Sequence, residues 1–435
     1  MSRVKMAVGD TTQTPHKLPV KTLIAASIGN AIEWYDWTIY ATFLVYFSTQ
    51  FFPDNDPSLA LIATTATYAV AFFFRPVGGW LLGRYADVKG RKAAMILTIM
   101  LMAGGSMAIG LLPTYQQVGY LAPVLLLIAR IAQGISLGGE VSNASAYLAE
   151  IAPPGRRGHY SAFFYTSTGS ALLLASLLGV LLSSTLTDEQ LRSFGWRIPF
   201  IIGGVLAMVG VYLRRSLSET DHFEANKDKA RRMRHPLLTT LTQHPKAVGQ
   251  LVGITLLNTL NYYTFFSALT PYAVVSNGLD AQDVFIALAA GTALFIVLQI
   301  PLGLLSDRIG RKPQLLAWSA ALALLVIPLS RLITPQAGLP QLLVVFCTGL
   351  GLYAFMASIA PAIMSELFPT ELRGVAIGAW YNVTVATFGG TAPLVIATLA
   401  DRGRPDLFFL YVTVAAVIAF FTILTLRETA HEPLK

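Results

Sequence analysis

Two different motifs each occur twice in this chain, at almost the same spacing. Residues 83–92 read GRYADVKGRK, and residues 303–312, starting 220 positions further on, read GLLSDRIGRK. Residues 149–158 read AEIAPPGRRG, and residues 365–374, starting 216 positions further on, read SELFPTELRG. Both spacings are close to half of the 435 residues, and the order of the motifs is the same in both halves. The chain is therefore interpreted as a duplicated unit.

The composition indicates a membrane protein. Apolar residues make up 54% of the chain and charged residues only 12%, whereas soluble domains average about 25% charged residues. A spanning helix needs about 20 predominantly apolar residues. The predicted spans are 22–48, 59–83, 93–112, 121–148, 160–183, 197–213, 247–274, 283–305, 314–333, 339–364, 374–399 and 407–426. Six of them precede the charged stretch 214–246 and six follow it, in agreement with the repeat.

The predicted fold is an all-α membrane protein with twelve transmembrane helices in two pseudo-symmetric six-helix bundles. Such a plan is typical of transporters whose binding site lies between the halves. The predicted organisation is a cytoplasmic N-tail at 1–21, a first bundle at 22–213, a cytoplasmic linker at 214–246, a second bundle at 247–426 and a cytoplasmic C-tail at 427–435.

The distribution of basic residues predicts the orientation. With both termini in the cytoplasm, 24 of the 31 Lys and Arg residues lie in inner tails and loops and five in outer loops. The inner set includes Arg214, which is assigned to the linker. This bias follows the positive-inside rule. Basic residues facing an anionic inner leaflet also account for the net charge of +8, without a nucleic-acid partner.

Other signals limit the chemistry. The single cysteine, Cys347, lies in a predicted span, so an intramolecular disulfide is excluded. All six histidines lie in predicted tails or loops, which argues against an intramembrane haem or histidine metal site. No catalytic residue, metal site or cofactor is predicted, and the protein is expected to be a monomer.

Ionisable residues within spans are costly and are usually functional. Away from their ends, the predicted spans of the first half contain five of them: Glu33, Asp36, Arg75, Arg130 and Glu140. An arginine can hold a substrate carboxylate by a bidentate contact. Arg130, with Gln133 beside it on the helix, is the predicted substrate anchor, and Arg75 fits either that role or pairing with an acid. The alternative is that all five residues neutralise one another and hold the packing.

The second half is different, because its spans carry Asn and Tyr and contain no Lys or Arg away from their ends, apart from Arg331 near an outer edge. These polar side chains suit hydrogen bonding to a substrate, although ordinary packing between helices is the alternative. Together with one tyrosine of the first span, the predicted contributors are Tyr40, Asn261, Tyr262, Tyr381 and Asn382.

The repeated motifs predict a gate. Gly90 and Gly310 permit a tight reversal, and Asp87 and Asp307 lie where each can pair with an arginine or cap a helix. Such pairs suit a latch that holds the cytoplasmic side closed, while the alternative is a turn that only sets topology. The predicted gate residues are Asp87, Arg91, Glu150, Arg157, Asp307, Arg311, Glu366 and Arg373.

Several longer strings resemble the metabolite:proton symporter family of the major facilitator superfamily. They are GNAIEWYDW at 29–37, FFFRPVGGWLLGRYADVKGRK at 72–92, RIAQGISLGGE at 130–140, YLAEIAPPGRRG at 147–158, GWRIPF at 195–200, SELFPTELRG at 365–374 and YNVTVATFGGTAP at 381–393. The resemblance covers nearly the whole chain. It implies a proton-coupled symporter, not an enzyme, in a bacterial inner membrane, with proton-coupling roles for Glu33, Asp36 and Glu140.

The resemblance also limits the substrate. It implies import of a small polar carboxylate, α-ketoglutarate or a similar dicarboxylate, by alternating access. Citrate or another tricarboxylate, shikimate and a proline or betaine zwitterion stay open as alternatives. A drug:proton antiporter is disfavoured because residues 160–183 contain no proline. A membrane enzyme or receptor is disfavoured by the lack of any large extramembrane segment.

Overall fold

The computed structural model describes residues 20–52, 57–153, 155–215, 219, 236–273 and 277–434. The predicted N-tail and most of the predicted linker lie outside these residues. The described chain is built almost entirely from long helices, in agreement with the predicted all-α class.

The described residues of the first half form six long helices. They are α1 Val20–Phe51, α2 Pro57–Lys89, α3 Arg91–Leu111, α4 Leu121–Ile151, α5 Arg157–Thr185 and α6 Arg197–Arg215. Short helical turns at Tyr115–Val118 and Asp188–Gln190, the latter followed by a π-turn at Leu191–Gly195, connect α3 to α4 and α5 to α6.

The second half repeats this plan after a short helix at Pro236–Gln243. Its first helix, α7, covers Pro245–Tyr263 and continues through a π-turn at Thr264–Ala268. It is followed by α8 Ala281–Ile309, α9 Arg311–Ser330 and α10 Leu339–Ala357, which resumes at Ala360–Glu366. The next helix, α11, starts at Thr370–Ala376, passes two π-turns at Ile377–Tyr381 and Val385–Gly389, and ends with Ala392–Asp401. The last is α12 Asp406–Leu424.

The two halves pack in the same way. In the first half the main contacts join α2 to α4, α3 to α6 and α1 to α5, and in the second half they join α8 to α10, α9 to α12 and α7 to α11. The halves meet chiefly through α2 with α11 and through α5 with α8. The pseudo-symmetry that the repeat predicts relates α2 to α8 and α11 to α5, so each of these two contacts is the equivalent of the other.

Eight helices in the described part of the chain are long and apolar enough to cross a membrane on length and composition.

The helices on both sides of the first motif reach further than predicted. Helix α2 runs to Lys89 and α3 begins at Arg91, so the first motif consists of the end of one helix, one glycine and the start of a second helix. Gly90 has a φ of 112° and Gly310 a φ of 100°, a region that favours glycine. The predicted tight reversals are therefore present.

One charge lies elsewhere than predicted. Arg214 was assigned to the cytoplasmic linker, but it belongs to the last turn of α6 and is fully buried. It shares the buried face of that helix with Gly203, Ala207 and Gly210, a spacing of three to four residues that brings positions to one side of a helix. The predicted boundary at residue 213 is thus too early, because α6 continues to Arg215.

Glycines let α2 and α4 pack backbone against backbone. A Cβ on Gly138 of α4 would collide with the carbonyl of Arg75, and a Cβ on Gly78 of α2 would collide with the backbone of Ile135. Small residues at such crossings are what permit close helix packing in a bilayer.

We expect Gly138→Ala to destabilise the protein by about 1–3 kcal/mol, since the added methyl meets backbone that cannot move aside alone. Gly104→Ala in α3 is the matched control, because nothing lies within 4 Å of the Cβ position there. Thermal unfolding of the two detergent-purified variants measures the difference. Equal melting temperatures would contradict this account of the α2–α4 contact.

Candidate functional site

The first copy of the gate motif joins α2 to α11. Asp87 and Arg91 form a fully buried ion pair. Asp87 also accepts the backbone N–H groups of Gly374 at 3.2 Å and Val375 at 3.1 Å. Arg91 donates to the carbonyl of Thr370 at 3.0 Å. The pair therefore holds one turn of a helix in the opposite half.

The second copy makes the equivalent contact between α8 and α5. Asp307 pairs with Arg311 at 2.8 Å and accepts the N–H groups of Gly158 and His159, each at 2.8 Å. These groups lie in the first turn of α5, where backbone N–H groups have no partner within the helix. An aspartate of one half thus caps a helix of the other.

Two glutamates complete the gate with arginines from both halves. Glu150 of α4 lies 3.5 Å from Arg91 and 2.6 Å from Arg373. Glu366 lies 3.5 Å from Arg311 and pairs with Arg157. All eight residues predicted for the gate are therefore brought together, in two sets related by the repeat. These contacts join the two halves on the side of the protein that is predicted to be cytoplasmic.

A third pair of residues supports the gate and was not predicted. Glu219, after α6, accepts the N–H groups of Arg91 at 3.0 Å and Lys92 at 3.2 Å. Glu428, after α12, accepts those of Arg311 at 2.8 Å and Lys312 at 3.0 Å. Each glutamate caps the helix that carries a gate arginine. The signal was present in the sequence, because Glu219 and Glu428 open two related strings, ETDH at 219–222 and ETAH at 428–431.

The C-terminal segment also contacts both halves. Thr429 donates to Glu366 at 2.5 Å, and Arg157 donates to the carbonyl of Glu432. Burial would raise the pKa of Glu428, but four backbone N–H donors outweigh it and lower that pKa below its ordinary value. Glu428 is thus held as an anion over the start of α9.

An aromatic cavity lies between the halves. Its volume is ≈ 160 Å³, and a cavity of about this size can hold a ligand such as benzene. Two tryptophans of α1 face two tyrosines and a phenylalanine of the second half. The lining residues are Trp34, Trp37, Thr38, Leu172, Tyr262, Tyr263, Phe266 and Ser267. Trp34 and Tyr262 meet across the two halves at 5.3 Å between ring centroids.

Arg75 lies close to two residues that line this cavity. Its guanidinium lies 3.5 Å from the Tyr263 hydroxyl and 5.6 Å from the Trp37 ring centroid, and both of these residues line the cavity. It is 2% exposed. Among the described residues, no carboxylate oxygen lies within 4.0 Å of it. Arg75 is therefore a buried cation that no acid in the described part of the chain neutralises by direct contact.

One tyrosine hydroxyl, that of Tyr263 of α7, contacts Arg75 at 3.5 Å. Tyr165 of α5 and Tyr381 of α11 lie within the electrostatic reach of the same guanidinium. The predicted residue Tyr381 belongs to this group, whereas Tyr165 was not predicted. A cation among hydroxyl donors is suited to binding a carboxylate.

Arg130, the predicted anchor, lies instead within the first half. It donates to Gln133 at 2.7 Å and stacks over Tyr40 and Trp37 at 4.0 Å and 4.6 Å from the ring centroids. Gln133 in turn donates to Asp36. Neither arginine is itself a lining residue of the cavity, and neither are Tyr40 and Gln133. Arg75 differs from Arg130 because it contacts Tyr263, a lining residue that belongs to the second half. This contact across the halves favours Arg75 over Arg130 as the anchor.

The remaining predicted residues of the second half divide into two groups. Tyr262 lines the cavity. The Asn382 amide donates to the carbonyls of Gly138 and Gly378, at 2.9 Å and 2.7 Å, and so joins α11 to α4. Asn261 donates to Gly349 at 3.4 Å. For the two asparagines the geometry therefore favours the alternative reading, hydrogen bonding between helices.

Comparison with known proteins identifies the class. The chain matches the model of the Major Facilitator Superfamily over residues 26–379 and 251–435. It is 37% identical over 418 residues to the alpha-ketoglutarate permease of Escherichia coli (strain K12), covering 96% of both chains. It is 34% identical over 450 aligned residues to the proline/betaine transporter of Salmonella typhimurium, covering 99% of this chain and 88% of that one.

The fold agrees with a solved member of the superfamily. The proton:xylose symporter XylE bound to 6-bromo-6-deoxy-D-glucose superposes with a TM-score of 0.81 at 17% identity, covering 95% of this chain and 97% of that one. The chain belongs to the major facilitator superfamily. The predicted twelve-helix fold is confirmed, and the protein is a membrane-spanning transporter.

We expect Asp87→Asn to open the gate side. Loss of one partner of a buried hydrogen-bonded ion pair typically costs about 2–5 kcal/mol, and about 1.4 kcal/mol already changes a population tenfold. With Cys347 replaced by serine, a single Ser145→Cys reporter is available, since Ser145 is fully buried beside Ser365 of the other half. Its labelling by a thiol reagent should become at least about tenfold faster.

The matched control for this experiment is Asp406→Asn. Asp406 pairs with Arg404, but both side chains are more than half exposed, at 64% and 58%. This substitution should leave the labelling rate of Ser145→Cys unchanged. Equal labelling rates for Asp87→Asn and Asp406→Asn would show that the motif only sets the topology and does not hold the gate closed.

Proposed function

We propose that the protein is a proton-coupled symporter that imports a small carboxylate, α-ketoglutarate or a similar dicarboxylate, across a bacterial inner membrane, with both termini in the cytoplasm. It binds its substrate between the two halves as a monomer and uses the proton gradient, with no cofactor and no covalent chemistry.

The observation that carries this proposal is Arg75. A buried cation without a carboxylate in contact is unfavourable, and a substrate carboxylate would neutralise it while accepting hydrogen bonds from nearby tyrosine hydroxyls. The position of Arg75 beside a cavity between the halves supports a role in binding rather than in packing. The similarity to a protein named alpha-ketoglutarate permease supports the same chemistry.

Uptake into proteoliposomes under an imposed pH gradient, acidic outside, tests the proposal. The substrates to compare are α-ketoglutarate, succinate, citrate, shikimate, proline and glycine betaine. We expect α-ketoglutarate or succinate to accumulate above its equilibrium level, and the accumulation to disappear when a protonophore collapses the gradient. Absence of both gradient-driven uptake and counterflow for every substrate would contradict the proposal.

We expect Arg75→Lys to weaken substrate binding by about tenfold, or about 1.4 kcal/mol, because lysine keeps the charge but loses the planar bidentate fork. Calorimetric titration of the purified variant measures this. Arg197→Lys is the matched control, since Arg197 holds the carbonyls of Gly110 and Leu112 at 2.9 Å and 2.8 Å, away from the cavity. Near-normal affinity in Arg75→Lys would remove Arg75 from the binding site.

The aromatic lining favours a second candidate, a zwitterion such as betaine. Aromatic faces attract quaternary ammonium groups, by about 0.5–2 kcal/mol for each ring, and Trp34, Trp37 and Tyr262 all line the cavity. A zwitterion would place its carboxylate on Arg75 and its cation among these rings. If this candidate is right, Trp34→Leu should weaken betaine binding more than the binding of any dicarboxylate in the same titration.

A further inference from the structure

A buried asparagine joins the two halves beside Arg75. Asn382 of α11 is fully buried. Its side-chain amide donates to the carbonyl of Gly138 in α4 at 2.9 Å and to the carbonyl of Gly378 in its own helix at 2.7 Å. A carbonyl can only accept a hydrogen bond, so these two partners use both hydrogens of the amide Nδ2. The bond to Gly138 crosses from the second half to the first.

The local backbone directs this side chain. Asn382 directly follows the π-turn Ile377–Tyr381. Its backbone N–H bonds to the carbonyl of Ala379, whereas a regular α-helix would use the carbonyl of Gly378, four residues back. The side-chain amide donates to that carbonyl instead. One amide hydrogen thus fixes the side chain to its own helix, and the other is presented to α4.

Three helices touch at this amide. A Cβ on Gly79 of α2 would collide with the carbonyl of Gly378 and with the amide of Asn382, and a Cβ on Gly138 of α4 would collide with the carbonyl of Arg75. The backbone of Arg75 therefore lies against the residue whose carbonyl accepts from Asn382. A displacement of α2 at Arg75 acts directly on this contact.

Helix α4 carries a series of contacts with the second half. After Gly138, the carbonyl of Ser145 accepts from Ser365 at 3.2 Å, and Glu150 pairs with a gate arginine. Along the helix axis, Ser145 lies about 10 Å from Gly138, and Glu150 lies about 8 Å further on. The bond from Asn382 is therefore the contact of this series that lies farthest from the gate, and it involves no charge.

The repeat does not explain this contact. The residue equivalent to Asn382 in the first half is Thr166, since each lies eight positions after the last glycine of its copy of the second motif. The Thr166 hydroxyl donates to the carbonyl of Ala162 in its own helix at 2.9 Å. The gate contacts occur in two related copies, whereas the bond from Asn382 to Gly138 belongs to one side, where α2 carries Arg75.

Packing alone does not account for an asparagine at this position. The Oδ1 atom of Asn382 is buried, and within the described residues it has no hydrogen-bond partner. A buried acceptor without a partner is unfavourable, and an apolar side chain of similar shape, such as leucine, would avoid this cost. The property that leucine lacks is the hydrogen bond to the other half.

We propose that Asn382 is a positioning residue for transport, an uncharged latch that holds α11 against α4 until substrate binds at Arg75. This proposal rests on the proposed function, in which a carboxylate binds Arg75. Tyr381, the neighbour of Asn382 in the chain, lies within the electrostatic reach of Arg75. A carboxylate that contacts both Arg75 and Tyr381 moves this turn of α11 and releases the bond to Gly138. A neutral hydrogen bond breaks without leaving a buried charge uncompensated.

Asn382→Leu tests the proposal, because leucine has a similar shape but no hydrogen-bond donor. In the background of Cys347→Ser and Ser145→Cys, we expect thiol labelling without substrate to become about fivefold faster, the size expected for loss of one neutral hydrogen bond. Addition of α-ketoglutarate should accelerate labelling of the protein with Asn382 intact, and should have little further effect in Asn382→Leu. A purely structural role predicts that the response to α-ketoglutarate is retained.

Asn30→Leu is the matched control. Asn30 of α1 is also a fully buried asparagine, it donates to the carbonyl of Phe164 at 2.8 Å, and its Oδ1 has no partner within the described part of the chain. Both Asn30 and Phe164 belong to the first half, so their bond does not have to break when the halves separate. This substitution should leave unchanged both the labelling rate and its response to α-ketoglutarate.

Asn382→Thr separates the two bonds of the amide and serves if the leucine variant does not fold. A threonine hydroxyl has one hydrogen, which can bond to the carbonyl of Gly378 as that of Thr166 bonds to Ala162, and none is then left for Gly138. We expect a melting temperature close to that of the wild type, with labelling as fast as in Asn382→Leu.

Two results would overturn the proposal. One is a wild-type labelling rate in both Asn382→Leu and Asn382→Thr, and the other is equal acceleration in Asn30→Leu, which would indicate general destabilisation. Failure of the proposed function gives a different pattern. If no carboxylate changes the labelling of the protein with Asn382 intact, the proposed substrate class is wrong, while the rates without substrate still decide whether Asn382 is a latch.

Discussion

The closed arrangement depends on two buried aspartates that find their partners across the two halves. Asp87 and Asp307 each pair with an arginine one turn further along the chain. Each also accepts two backbone N–H groups from the opposite half. When the halves separate, these donors leave and the carboxylates need new partners. A buried ion pair contributes little net stability, but removing only one of its partners is costly, because a buried charge is left without compensation. This cost favours two discrete conformations, with the halves either in contact or apart, over a continuous range of intermediate ones.

Pseudo-symmetry makes this gate a pair of equivalent contacts. Gly83 of α2 lies against Gly374 of α11, and Gly303 of α8 lies against Gly158 of α5, so close that a Cβ at any of these positions would collide with the backbone opposite. The aspartates reach the backbone of the other half because the helices touch there. The aspartate contacts and the close glycine packing therefore occur at the same places between the halves, and each requires the other.

The sequence predicted which residues meet at the predicted gate, but not which arginine contacts the second half beside the cavity, for a physical reason. The repeat places equivalent residues in equivalent contacts, so two motifs, each present in two copies, were enough to name all eight gate residues. The choice between Arg75 and Arg130 depends on which face of each helix meets the cavity, and a one-dimensional pattern does not determine that. Arg214 was misassigned because charge was counted along the chain, although the small residues one and two turns before it on α6 indicated a buried face.

The division of charge between the halves connects binding to gating. The acids and arginines of the membrane interior lie in the first half, while the second half offers Tyr263 to Arg75 at 3.5 Å. A carboxylate on Arg75 that also reaches this hydroxyl would hold the halves together at the cavity. Arg75 and Asp87 belong to the same helix, α2, and their separation of twelve residues corresponds to about 18 Å along its axis. In the proposed mechanism, a movement of α2 at the substrate is therefore carried to the contact of Asp87 with α11, because the helix proposed to bind the anion also carries a predicted gate residue.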